Sequence, residues 1–172
     1  YTFDGWDHES DVVTSNLVIN AQYLFNPIAE LDVSDDTLNL EVEGLDDAIE
    51  FSHQERQLQA IVKLQLTLFN DLVLPEDIDI LNNYITNTLK ITSSKTLLMD
   101  ISLFKIVGEE QTKLTESLNQ ILISFLVPAE FHGKDFKLVH IHGGEAHLLD
   151  FDYDTETHMV SFTIDKFSTF AI

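Results

Sequence analysis

The chain has 172 residues, of which 44% are hydrophobic, including twelve Phe; that is enough to bury a core and too much for a disordered segment. Thirty Asp and Glu against nine Lys and Arg give a formal charge of −21, so the surface repels phosphate, which argues against nucleic acid and anionic membranes as partners. The absence of cysteine excludes disulfides, thiol catalysis and cysteine-ligated zinc, and no run of about 18 apolar residues offers a membrane span.

The opening residues, YTFDGWDHES, lack the basic start and apolar stretch of a secretion signal, so the expectation is a cytosolic protein or an excised piece of a longer one. LNLEVEG (38–44) alternates Leu38, Leu40 and Val42 with polar neighbours and predicts a half-buried strand ending at Gly44. Ser52 followed by Glu55 has capping-box spacing and predicts a short helix near residue 53. IVKLQLTLF then puts Leu64, Leu66 and Leu68 on one face of a strand, with Lys63, Gln65 and Thr67 on the other.

Leu74 before Pro75, with Glu76 and Asp77 next, predicts a helix that begins at the proline with acids at the positive end of its dipole. Ile78, Leu81 and Ile85 form its apolar stripe, and it extends to about residue 88. TLLMDISLFKIVG (96–108) and LNQILISFLVP (118–128) read as two strands joined by the acidic EEQTKLTES, with Ile121, Ile123 and Phe125 on one face of the second. After AEFHGKD the last forty residues form a meander. Gly143-Gly144 suits a two-residue hairpin, Asp154 to Thr157 make a second turn, and STFAI is a closing strand. Seven or eight strands with one or two short helices predict a mainly β, sandwich-like fold, because opposed sheets can each bury one alternating face.

Tyr1, Phe3, Gly5, Trp6, Val13, Ala21 and Tyr23 carry a pattern that resembles the tail of the internalin-type β-grasp repeats of Gram-positive surface proteins. Such a repeat begins some tens of residues earlier, so residues 1–26 would hold only its last strands. The strand Asp100 to Lys105, the strand Phe136 to His142 with its Gly-containing turn, and the ending Asp165 to Ala171 resemble a β module found near the C-termini of clostridial and related cell-surface proteins. This likeness is dense over residues 91–172, thin over 31–90, and specific in the order of its pieces; it sets the second unit at 31–172. The resemblance implies a non-catalytic structural, spacer or adhesin module, located outside the cell at the surface or wall, without a cofactor. Its partners would be neighbouring surface-protein domains, with a host protein or glycan as a ligand in the alternative reading. Export and anchoring signals are expected to lie outside this stretch.

The ending DKFST also resembles the His-Phe-Ser end of self-cleaving sandwich domains, where the serine hydroxyl attacks the preceding carbonyl. Here Lys166 stands in the place of the base, and an ammonium ion that loses its proton only near pH 10.4 cannot accept one at neutral pH. Asp150, Asp152, Asp154 and Glu156 alternate as weak calcium candidates, but Thr155 and Ser161 occupy the sixth and twelfth positions where a calcium loop needs Gly and Glu. His140, His142 and His147 flank the Gly143-Gly144 turn and could approach a zinc ion, although Leu138 shares the face of the first two and favours ordinary packing. Trp6 is expected to pack a small core rather than stack on a sugar. Glu109 with Glu110, and Asp46 with Asp47, sit in apparent turns, and adjacency in sequence does not make a hydrolytic pair. No phosphate loop, nucleophile elbow or His-Glu-x-x-His run is present, so no catalytic or metal residues are assigned. An exposed aromatic cluster or a concave pocket would favour recognition; uniformly charged faces would favour a spacer.

Overall fold

The computed structural model describes residues 1–7, 18–69, 75–91 and 95–172; Val13 of the repeat-like pattern and Leu74 ahead of the helix lie outside them. The chain opens with a two-stranded antiparallel sheet of β1 (Thr2–Trp6) and β2 (Ala21–Leu24). Next comes β3 (Ile28–Val33), which starts ahead of the expected boundary at residue 31 and already belongs to the main body. The expected strand over 38–44 is shortened to β4 (Glu41–Glu43). Asp35 Oδ1 accepts the Thr37 N–H at 2.9 Å and the Thr37 hydroxyl at 2.6 Å, which draws Asp36–Leu38 into a 3-10 turn. Leu38 therefore enters the core from a turn, 2% exposed.

The capping box is realised at α1 (His53–Gln57): the Glu55 N–H donates to Ser52 Oγ at 3.3 Å, and the Ser52 N–H to Glu55 Oε2 at 2.7 Å. β5 (Ile61–Phe69) follows, with Val62, Leu64 and Leu66 fully buried. α2 (Pro75–Asn83) begins at the proline and continues as a single wider turn over Tyr84–Thr88. β6 (Leu98–Val107) is followed by β7 (Glu110–Leu114), formed by the acidic segment expected to be a plain connector. Gly108, at φ 62°, makes the tight turn that lets Glu110 pair with Val107 and Leu114 with Leu103. Only Leu114 of β7 reaches the core, so no apolar alternation marks this strand in the sequence.

β8 (Glu116–Leu126) leads through a 3-10 turn at Ala129–Phe131 to the hairpin of β9 (Leu138–His142) and β10 (Glu145–Leu149). Gly143 and Gly144, at φ 61° and 81°, form its two-residue turn; positive φ at both central positions is what a right-twisted hairpin needs. β11 (Asp152–Tyr153), β12 (Met159–Lys166) and β13 (Thr169–Ala171) complete the chain.

The larger sheet runs β10-β9-β13-β6-β5-β3 with β7 also on β6, and the smaller runs β11-β12-β8-β4. Met99, Ile101 and Leu103 of the larger sheet meet Ile121, Ile123, Phe125, Val160 and Phe162 of the smaller in one apolar core. Phe162 and Phe170 touch across the two layers with ring centres 6.0 Å apart. The fold is thus mainly β and sandwich-like with two short helices, as the alternation predicts. Among the described residues no helix is long and apolar enough to cross a membrane. α2 covers the outer face of the larger sheet, where Leu81 packs on Val139, Ile141 and Ala171. Its Asp77 accepts the Thr169 hydroxyl at 2.5 Å.

Candidate functional site

Phe167 and Ser168 link β12 to β13. Phe167 is 2% exposed, and its N–H donates to the Thr115 carbonyl at 2.9 Å. The Ser168 hydroxyl donates to the Ile141 carbonyl at 2.6 Å and lies 2.9 Å from His140 Nε2 and 3.4 Å from His142 Nδ1. His140 sits opposite Phe170 in the sheet, and their rings stack 4.2 Å apart. Burial, aided by the charges of His142, His147 and Lys166, pushes the His140 pKa down to about 4, so the ring is neutral at neutral pH.

A neutral imidazole against a serine hydroxyl is the pairing that nucleophilic chemistry uses. Lys166, adjacent in sequence, is exposed; the nitrogen base comes instead from β9, 28 positions away. That strand pairing is invisible in DKFST alone. With the serine hydrogen directed at Ile141, the network assigns His140 Nε2 as the donor to Ser168 Oγ, while His142 Nδ1, at 3.4 Å, lies at the long limit of a hydrogen bond. The arrangement is a clasp between β9 and the last turn of the chain.

The other sequence candidates do not converge. Asp154 Oδ1 accepts the Glu156 N–H at 2.8 Å and the Thr157 N–H at 3.3 Å; these bonds hold its pKa below the usual carboxylate value and close the turn before β12. Asp152 lies on β11 and Asp150 just before it, both exposed, and no three His, Asp or Glu among the described residues are placed to hold a metal ion. His140 and His142 share the inward face with Leu138, as a regular strand requires, with ring centres 5.5 Å apart. His147 stands opposite His140 in register, but its Nε2 is directed at Glu145, 3.5 Å away. Asp46 with Asp47 and Glu109 with Glu110 lie at or beside turns.

Trp6 differs from expectation: it is 59% exposed, on a sheet that has only two strands. It packs edge-on against Phe3 at 5.4 Å, and Phe3 against Tyr23 at 5.7 Å, so the three form an exposed aromatic row. A second feature absent from the sequence reading is a cavity of about 300 Å³ beneath α2, with lysines at its mouth. Its walls come from four separate chain segments, so no local motif announces it. No protein-family model matches this chain, and neither a curated protein nor a solved structure does.

Proposed function

We propose that this chain is a non-catalytic, load-bearing module of a Gram-positive surface protein, holding or spacing a functional part away from the cell wall. One feature of the topology supports the reading. β3 runs parallel to β5, β5 antiparallel to β6, and β6 antiparallel to β13, so β3 and β13 run parallel within one sheet. Tension applied ahead of β3 and after β13 pulls opposite ends of these strands. The ladders between them are then sheared with their hydrogen bonds loaded together, rather than opened one at a time. A continuous apolar core between the layers adds resistance to sliding.

Force spectroscopy tests this, and the absence of native cysteine makes engineered cysteine handles unambiguous. Handles at Pro27 and Ile172 should give a markedly higher unfolding force than handles at Lys137 and Asp150, which unzip the β9–β10 hairpin from its open end. Equal forces would remove the mechanical argument. Labelling of intact source cells with an antibody to this chain should give signal before lysis; signal only after lysis would contradict the surface location.

The exposed row of Phe3, Trp6 and Tyr23 favours a second reading, a module that binds a host protein or glycan. Binding to immobilised glycans or matrix proteins that is lost in a Trp6→Ala, Tyr23→Ala double variant would support it. Unchanged binding in that variant would place recognition elsewhere.

A further inference from the structure

The cavity beneath α2 lies between that helix and its wider last turn, the segment 131–137, and β9 with β13. Its volume of about 300 Å³ sits at the small end of the range for ligand sites. Leu81, Ile85, Leu89, Phe136 and Val139 make an apolar interior. Lys95, Lys134 and Lys137 also line it, three of only nine basic residues in a chain of charge −21. Two of these lysines have acidic neighbours: Lys95 pairs with Glu130 at 2.9 Å and Lys137 with Asp135 at 3.6 Å. Lys134 makes no ion pair among the described residues. Among the described residues three lysines at this site thus face two acids, Glu130 and Asp135, and Lys134 leaves one net positive charge in a molecule that is otherwise strongly negative.

We propose that this cavity binds a small amphipathic carboxylate, its aliphatic or aromatic body against Leu81, Ile85 and Val139 and its carboxylate at Lys134 and Lys137. An uncharged apolar ligand would use the interior but not the lysines, and a cationic one would be opposed at the mouth. An anion with a carbon body uses both, and at low salt its attraction to the ammonium groups is little screened. The proposal does not depend on the load-bearing reading, since it concerns the outer face of the larger sheet and leaves the core and strand directions untouched.

Calorimetric titration of the full chain at low salt with sodium octanoate, octan-1-ol and octyltrimethylammonium, and with 2-naphthoate as an aromatic acid, tests it. At least one acid should bind; where octanoate does, it should bind about tenfold or more tightly than the alcohol, with the ammonium weakest. The Lys134→Gln, Lys137→Gln double variant, altered only at exposed positions, should bring acid binding down to the alcohol's level. Ile85→Trp should fill the cavity and abolish binding with the melting temperature retained. If that variant does not fold, methyl resonances of Leu81, Ile85 and Val139 in the unaltered protein decide, and they should shift on addition of the acid that binds. Failure of both acids to bind, octanoate bound no more tightly than octan-1-ol, acid binding unchanged in the double-lysine variant, or unmoved methyl resonances would each overturn the proposal.

Discussion

His140 is 6% exposed, hydrogen-bonded to Ser168 and stacked on Phe170, and so neutral in the folded chain. An unfolded histidine takes up a proton near pH 6.5, whereas here it does so only at about 4. Between those values the unfolded state binds a proton that the folded state refuses, so stability is complete above pH 6.5 and falls as pH drops toward 4. Asp165 opposes this shift, while His142, His147 and Lys166 reinforce it. A His140→Gln variant keeps a donor for Ser168 without the titration, and its melting temperature should vary less between pH 6.5 and 4.5. Glu55 acts in the same direction at lower pH: its bonds with Lys105 and the Ser52 N–H hold its pKa down to about 2. Its contribution is present above pH 4.5 and is lost as pH falls toward 2, below the histidine window. At Ser168, intact mass under denaturing conditions should show one species of all 172 residues; release of the pentapeptide Ser168–Ile172 would show that the clasp is a cleavage site.

α1 buries no residue of its own, so its position depends on its ends. Ser52 closes the capping box, and Glu55 bonds Lys105 of β6 at 2.7 Å. Lys105 also lies 5.0 Å over the Phe51 ring. Ser52→Ala should destabilise the chain by about 1 kcal/mol in urea unfolding, the usual cost of a lost N-cap. This helix is legible because Ser52 and Glu55 make their bonds within one turn. β7 is not, because its pairing with β6 arises from the Gly108 turn and backbone bonds that any polar sequence can make.

Across the whole molecule, stability comes from the interlocked inner faces of two sheets, and Ile123 at 0% exposure stands in the middle of the smaller one. Ile123→Ala should cost about 2–5 kcal/mol in the same urea assay, since the closed core cannot collapse onto the space left behind. The charge of −21 works against compactness, so adding sodium chloride should raise the melting temperature by screening that repulsion.

What the sequence determines by itself is whatever depends on neighbours a few positions apart. Alternation along residues 61–69 and 118–128 marks buried faces, Gly143-Gly144 marks a turn, and Ser52 with Glu55 marks a helix start. Strand order is decided only in three dimensions, because alternation says which face is inward but not which strand lies alongside. Through that order His140 reaches Ser168, β13 lies between β9 and β6, and Lys95, Lys134 and Lys137 gather around one cavity. Trp6 shows the same division: its size predicts burial, but its place on a two-stranded sheet leaves it largely in solvent. Local chemistry selects the elements, and the long-range packing of their apolar faces decides which polar groups meet.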